Sequence, residues 1–262
     1  MDQPVHSVLP VRERVLIATP CLDGNLCVEY VSSLMHTNQL ATQHGILCDF
    51  TVLRGDCFIG KARDNLTKTF LSSECTSLFF IDADQGWDAA AFVRMVLDDH
   101  LIVAGAVPKK TDGLEFNGLN LDAAPNGDCY LENGMIRAKH VGTGFMRIRR
   151  AAIEKLIEQH PATYKPGDGS PHDLLHEVFP CGPKGDGDKR QFWGEDLSFC
   201  DRWLALGEHV WIDPNIDFVH IGRKTYKGNL YKFLEANGAV RQAASVAKSA
   251  PVIVDDFAED RA

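Results

Sequence analysis

Two aspartates separated by one residue follow an apolar run in this 262-residue chain. Leu78-Phe79-Phe80-Ile81 runs directly into Asp82-Ala83-Asp84. The apolar run predicts a buried strand, and leaving two carboxylates unpaired where it ends would be costly. A divalent cation that bridges the carboxylates to phosphate oxygens removes that cost, and Mg²⁺ and Mn²⁺ favour such ligands. We therefore predict a metal site here, with a solvated turn as the alternative.

The surrounding elements explain why these acids would be available. Residues 15–106 alternate between strand-like and helical spacing, which predicts a parallel sheet with helices on both faces. Ligands bind such sheets outside the carboxyl ends of the strands. Thr19, Pro20, Asp82 and Asp84 all end predicted strands. The predicted strands cover 15–18, 46–53, 78–81 and 101–106, and the predicted helices 27–43, 60–75 and 88–97.

The pattern changes after residue 113. Asn126-Gly127 and Asn133-Gly134 predict hairpin turns, and residues 161–190 are rich in Pro and Gly without periodicity, which predicts a long functional loop. Further predicted elements are strands at 141–148, 210–212 and 216–219 and helices at 150–159, 194–206, 228–236 and 239–248. The fold class predicted from all of this is α/β, a single domain with a mostly parallel mixed sheet flanked by helices, and with C-terminal helices.

Composition excludes several classes of protein. The chain is 45% hydrophobic and 24% charged, which is typical of a globular protein rather than a disordered or fibrous one. Its net charge of −9 argues against coating nucleic acid by charge alone. No apolar run is long enough to span a bilayer, and no signal peptide is visible. Eight singly spaced cysteines without a CxxC predict reduced thiols and a cytoplasmic location.

A series of short motifs resembles the nucleotide-sugar glycosyltransferases of the GT-A fold, close to glycosyltransferase family 2. The resemblance covers roughly residues 13–228, and the order of the motifs is more specific than any one of them. The motifs are Ala18-Thr19-Pro20, Ala62-Arg63-Asp64-Asn65, Asp82-Ala83-Asp84, the segment 104–110, Val141-Gly142-Thr143-Gly144-Phe145, Trp193-Gly194-Glu195-Asp196 and His220.

The resemblance implies a role for each motif in binding the donor. Thr19, Pro20 and Asp23 would hold the nucleotide base, and Gly144 would lie near the donor sugar. Arg63 and Asp64 would contact the nucleoside, although Asp64 stands where the family has Asn unless it is an insertion. A surface ion pair between Arg63 and Asp64 is the structural alternative.

The resemblance also implies a metal site and a base. Asp84 would bind Mn²⁺ or Mg²⁺, Asp82 would contact sugar hydroxyls and the metal, and His220 would be a further ligand, because neutral imidazole suits Mn²⁺. In inverting members an acid at the start of the helix after Trp193 deprotonates the acceptor. Asp196 is the first candidate and Glu195 the second, although acids in a first helical turn are also stabilised by the helix dipole.

The implied function is transfer of a sugar from a nucleoside-diphosphate sugar, a UDP-sugar first, to an acceptor hydroxyl. A non-catalytic nucleotide-sugar binding module and a nucleotidyltransferase are the alternatives. Predicted boundaries are an N-terminal extension at 1–12, one domain at 13–248 with a nucleotide half (13–110) and an acceptor half (111–230), and a disordered tail at 249–262.

The acceptor stays open between a glycan, a small molecule and a hydroxylated DNA base, without stable membrane insertion. The DNA alternative requires one cluster of seven basic residues, namely Lys109, Lys110, Arg147, Arg149, Arg150, Lys189 and Arg190.

Overall fold

The computed structural model describes residues 10–125, 127–167, 174–222 and 224–238. Residues 1–9 of the predicted extension, the predicted helix at 239–248 and the predicted tail at 249–262 lie outside these residues. Within the described ranges, no helix combines the length and the apolar content that crossing a membrane requires.

The described residues form six α-helices and sixteen short or long strands. The helices are α1 (Val28–Gln43), α2 (Ile59–Leu71), α3 (Ala89–Leu97), α4 (Arg150–Gln159), α5 (Glu195–Ala205) and α6 (Leu230–Ala236). The first eight strands are β1 (Glu13–Cys21), β2 (Ile46–Arg54), β3 (Ser77–Ile81), β4 (Gln85–Gly86), β5 (Ile102–Gly105), β6 (Asn120–Leu121), β7 (Leu131–Glu132) and β8 (Met135–His140). The remaining eight are β9 (Phe145–Arg149), β10 (Thr163–Tyr164), β11 (Leu175–His176), β12 (Gly182–Lys184), β13 (Gln191–Trp193), β14 (Val210–Asp213), β15 (Phe218–Ile221) and β16 (Thr225–Gly228).

One mixed sheet carries the fold. Its strand order is β2-β1-β3-β9-β5-β14-β8-β6, with β7 paired to β8. The strands β1, β2 and β3 are mutually parallel, and β5 is parallel to β14, whereas β9 runs antiparallel between β3 and β5. The predicted α/β fold with a mostly parallel mixed sheet in a single domain is confirmed.

Both faces of this sheet are buried, which explains the apolar runs of its strands. In β3, Leu78 and Phe80 pack with α2, α4 and α5 on one face, and Phe79 and Ile81 pack with α1 and α3 on the other. The alternation follows from the two-residue period of a strand. Asp88 begins α3 as expected, and its side chain accepts a hydrogen bond from the Ala91 amide.

Two predicted elements were wrong in detail. Of the single strand predicted at 141–148, residues 145–148 belong to β9, but residues 141–144 form a break between β8 and β9, where the Gly142 amide donates to the Asn117 carbonyl. The segment at 161–190 is not without structure in its described parts. It contains the antiparallel pair β10–β11 and strand β12, which pairs with β13 just beyond the segment.

A second, three-stranded sheet places β15 beside the turn that follows β3. Its order is β16-β15-β4, and His220 is paired with Gln85. The Ile221 amide also donates to the Asp84 carbonyl at 2.8 Å. His220 was predicted to follow a strand, but it lies within β15, and this pairing is what brings it to Asp84.

Candidate functional site

Asp82 leaves β3 next to the start of β9, because the two strands are antiparallel neighbours. The Asp82 amide donates to the Gly144 carbonyl at 2.9 Å. A Cβ at Gly144 would lie 2.7 Å from Asp82 Oδ2 and 2.7 Å from Gln85 Nε2. Only glycine therefore leaves room for both side chains.

Arg63 holds the centre of the site. It comes from α2, is almost fully buried, and its guanidinium lies 5.0 Å from the centre of the Phe80 ring. Its Nη2 donates to Asp82 Oδ1 at 3.1 Å and its Nε donates to Glu195 Oε1 at 3.3 Å. Arg63 Nη1 has no hydrogen-bond partner within the ranges that the structure describes. The surface ion pair between Arg63 and Asp64, which was the alternative for these residues, is not formed, since Arg63 instead links β3 to the start of α5.

Asp84 meets two basic groups. Its Oδ2 accepts a hydrogen bond from Lys110, and its Oδ1 lies 3.4 Å from His220 Nε2. The His220 Nδ1 donates to the Pro108 carbonyl at 2.7 Å, which leaves Nε2 facing Asp84. Burial alone would raise the pKa of the Asp84 carboxyl, but the hydrogen bonds and charges of His220 and Lys110 outweigh it and lower the pKa to about 2.

The chemistry of this donor set fits a divalent metal that arrives with a phosphate. In the part of the chain that the structure describes, no three His, Cys, Asp or Glu side chains converge to hold a metal. Asp84 and His220 supply two converging ligand atoms, and a metal there would compete with Lys110 for Asp84 Oδ2. Asp82 is paired with Arg63. Mg²⁺ and related cations commonly take only one or two carboxylates and complete their shell with substrate phosphates and water.

The site opens into a cleft of about 500 Å³. The loop after β1 forms one wall, the residues before α2 form another, and the acids lie at its base. Its lining comprises Pro20, Cys21, Leu22, Asp23, Asn25, Asp56, Cys57, Ile59, Arg63, Asp82, Ala83, Asp84 and Glu195. Asp23 Oδ1 accepts from the Asn25 amide at 3.0 Å, and mainly this hydrogen bond lowers the pKa of Asp23.

A smaller inner cavity of about 160 Å³ shares Arg63, Asp82 and Glu195 with the cleft. Its walls are strongly polar. Three side-chain atoms of buried lining residues have no hydrogen-bond partner among the described residues, and they are Arg63 Nη1, Gln85 Oε1 and Thr143 Oγ1. Buried polar atoms are seldom left unpaired, and these three are themselves shielded from solvent.

The adjacent acids at the start of α5 have different surroundings. Glu195 is buried and bound to Arg63. Asp196 also lines the inner cavity, and its Oδ1 accepts from the Leu197 amide at 2.7 Å. A Cβ at Gly118 would lie 3.3 Å from Asp196 Oδ2. Asp196 thus lies against the chain at Gly118, with no basic side chain among its described partners.

Two residues predicted to touch the nucleotide point elsewhere. Thr19 is fully buried, and its hydroxyl lies 2.5 Å from the Tyr30 hydroxyl. Asp64 is a buried residue of α2, and its Oδ1 accepts hydrogen bonds from the Val178 and Phe179 amides at 3.0 and 2.9 Å. Neither lines the cleft or the inner cavity. Pro20, Asp23, Arg63, Asp82, Asp84 and Glu195 do meet in the cleft, with Gly144 and Asp196 in the inner cavity.

The basic residues that a DNA acceptor would require do not form one patch. Arg147 is buried and donates to the carbonyls of residues 95, 98, 100 and 101. Arg149 and Arg150 also donate to main-chain carbonyls. Lys109 pairs with Glu115 and Lys110 with Asp84. These side chains stabilise the fold or the site instead of presenting free charge.

Sequence comparisons add no family. No family model matches the chain, and no curated protein matches it. Among solved structures, a crystal structure of GalNAc-T7 with UDP, GalNAc and Mn²⁺ is similar at a TM-score of 0.43 and 11% identity, over 80% of this chain and 44% of that one. The chain thus spans less than half the length of that solved chain. Function must be inferred from the site itself.

Proposed function

We propose that this protein is a metal-dependent glycosyltransferase that moves a sugar from a UDP-sugar to an acceptor hydroxyl. The observation that carries the proposal is the convergence of Asp84 and His220 beside a cleft that continues into a polar inner cavity. The cleft would take the nucleoside diphosphate and the inner cavity the sugar.

The donor would be held by residues from several elements. Pro20 and Asp23 would border the base, and Asp84 with His220 would hold Mn²⁺ or Mg²⁺. A bound metal of this kind offsets charge on the departing nucleoside diphosphate. Arg63 would contribute positive charge at the junction of the two cavities, both of which it lines.

The inner cavity favours a sugar as the transferred group. Its lining includes the polar residues Gln85, Asn117 and Thr143, which suit the hydroxyl groups of a pyranose. Asp82 lines the same cavity and accepts from Arg63, which fixes the direction of its carboxylate. A fixed carboxylate positions sugar hydroxyls and holds the reacting carbon in one place.

Asp196 is the candidate general base. In an inverting transfer, the acceptor oxygen forms a bond to the anomeric carbon as the bond from that carbon to the phosphate oxygen breaks. The electron pair leaves with UDP, and Asp196 takes the acceptor proton. Glu195 suits this role less, because its carboxylate is already bound to Arg63.

Donor turnover with and without added Mn²⁺ tests the proposal. UDP-sugars are screened for release of UDP, with Asp84→Asn as the test variant, because an amide is a poorer ligand for a hard cation than a carboxylate. Asp188→Asn is the matched control, since Asp188 is exposed and lines none of the cavities described. We expect Mn²⁺-dependent release that Asp84→Asn loses and Asp188→Asn keeps. Mn²⁺ dependence and rate unchanged in Asp84→Asn would refute the metal assignment.

A further inference from the structure

A third cavity adjoins the inner one. It has a volume of about 400 Å³, and its principal lining residues are Phe116, Leu119, Asn120, His140, Trp193 and Leu197. Apolar and aromatic side chains therefore form most of its wall, with a few polar groups among them. Binding sites for small organic ligands commonly have this composition. We refer to it as the Trp193 cavity.

The Trp193 cavity lies next to the candidate base. It shares Gly118 with the inner cavity, and Leu197 directly follows Asp196 in α5. Gly118 has a φ of +58°, and a Cβ there would lie 3.2 Å from the Gly142 nitrogen and 3.3 Å from Asp196 Oδ2. The Trp193 cavity and the Asp196 carboxylate therefore both adjoin Gly118.

The charged groups around the Trp193 cavity are already paired. Asp201 Oδ1 lies 2.8 Å from His140 Nε2, and Asp201 Oδ2 accepts from Lys184 Nζ at 3.2 Å. Lys184 also lies 4.8 Å from the centre of the Trp193 ring. Lys109 Nζ, the remaining cation of the wall, donates to Glu115 at 2.8 Å. An ionic ligand would have to compete with these pairs, so the wall favours an uncharged one.

We propose that the Trp193 cavity is the acceptor subsite and that it takes an uncharged saccharide. This inference rests on the proposed function, because it supplies the hydroxyl that Asp196 would deprotonate. The C–H faces of a sugar ring suit Trp193, Phe116 and Leu197. Its hydroxyls suit Asn120 and His140, which contact each other at 3.4 Å.

The contacts of Trp193 keep its ring in place before any ligand binds. The His140 ring meets it nearly at right angles, with centroids 5.7 Å apart, and Lys184 lies over it. A wall held in this way loses little side-chain freedom on binding, which favours affinity. Phe192, the neighbour of Trp193 in β13, is 74% exposed and does not line the cavity, so it offers a matched aromatic control.

Saturation-transfer NMR on the full chain tests the subsite directly. The probes are the methyl glycosides of glucose, galactose, mannose and N-acetylglucosamine, each measured with and without UDP and Mn²⁺. We expect at least one glycoside to bind in the presence of UDP and Mn²⁺. Trp193→Ala should weaken that binding about tenfold, as the loss of an aromatic anchor commonly does. Asn120→Ala, a change at an exposed position, should weaken it as well, and Phe192→Ala should not.

The two proposals fail in different ways. If UDP and Mn²⁺ bind but no glycoside does, or if glycoside binding is the same in Trp193→Ala and Asn120→Ala, the acceptor proposal is overturned and the proposed donor site stands. If UDP does not bind with Mn²⁺, the proposed function itself is overturned.

Discussion

Asp196 and Glu195 are adjacent, yet the structure gives them different partners. Neighbouring residues of a helix project about 100° apart. Glu195 is directed to Arg63, and Asp196 is directed to Gly118 at the boundary of the inner cavity and the Trp193 cavity. One acid is therefore bound to the central arginine, and the other has no basic side chain among its described partners.

The first prediction separates these two roles. Asp196→Asn should lower turnover by about 10² to 10⁴, the usual contribution of a general base, with little change in donor affinity. Glu195→Gln should be milder and should act through the position of Arg63. Steady-state kinetics give both effects once the anomeric configuration of the product shows inversion. A more severe effect in Glu195→Gln would reverse the assignment, and near-normal turnover in both would leave these acids a capping role only.

The second prediction uses the two glycines of one loop. Gly144→Ala places a Cβ 2.7 Å from Asp82 Oδ2, whereas in Gly142→Ala the new atom is at an ordinary 3.5 Å from Asn117. Because Asp82 would have to move, Gly144→Ala should lower kcat/KM for the donor by roughly 10², the cost of a displacement of about 1 Å. Gly142→Ala is the matched control. Equal kinetics in the two variants would show that the position of Asp82 is unimportant.

Helix α2 serves two purposes through consecutive residues. Arg63 faces the cleft, and Asp64 faces the segment that contains β10 and β11. Asp64 Oδ2 accepts from the Tyr164 hydroxyl at 2.8 Å, and Oδ1 accepts from the amides of Val178 and Phe179. Asp64 thus fastens both ends of this segment to the helix that carries Arg63.

The third prediction follows from the burial of Asp64. Burial raises its pKa to about 6, although hydrogen bonds from Phe179, Tyr164 and Val178 partly offset the effect. Between pH 3.8, the usual pKa of an aspartate, and about pH 6, the folded chain keeps a proton that the unfolded chain has lost. The free energy of unfolding should therefore fall through this window as pH rises.

Asp64→Asn removes this titration and can retain the two amide bonds through its carbonyl oxygen. From pH 4 to pH 7, the free energy of unfolding of the variant should rise relative to that of wild type by on the order of 2–3 kcal/mol, on the scale of 1.36 kcal/mol per pKa unit. Urea unfolding at the two pH values measures the difference. The exposed Asp188→Asn should show no such change. A difference between Asp64→Asn and wild type that is the same at both pH values would contradict the prediction.

Elements that have a strong local pattern were predictable, and elements fixed by distant contacts were not. The run of four apolar residues predicted β3, and the helical spacing at 150–159 predicted α4 with the bounds that the structure shows. The break at 142–144 was missed because Val141 and Phe145 on either side are both buried, so the sequence there resembles one apolar strand. Its backbone partners, Asn117 and Asp82, are remote in sequence.

The same distinction applies to the site. Asp82 and Asp84 were found from their position after an apolar run. The bond between Arg63 and Glu195 joins residues 132 positions apart, and no local pattern indicates it. Gln85 and Thr143 gave no signal, because single amide and hydroxyl residues occur throughout the chain. Thr19 and Asp64 fell in the right segments, but their side chains turned to buried partners, which only tertiary packing decides.

At the scale of the whole molecule, the two predicted halves share one sheet. Strand β9, from the later part of the chain, lies between β3 and β5 of the earlier part. It brings Gly144 to Asp82, and its buried Arg147 donates to the carbonyls that end α3. The inner cavity is therefore lined by residues from both parts of the chain, and a donor that enters it would contact both.

The last prediction follows from that arrangement. A ligand that binds only the folded chain stabilises it by RT ln(1 + [L]/Kd), about 2.7 kcal/mol at 100 times Kd. For a chain of this size, UDP with Mn²⁺ at that concentration should raise the Tm by roughly 5–10 °C. UDP without metal should raise it less, and Asp84→Asn should lose the metal-dependent part while Asp188→Asn keeps it. Thermal unfolding followed by circular dichroism measures the shift. A shift by UDP that is independent of Mn²⁺ would show that Asp84 and His220 do not hold a metal.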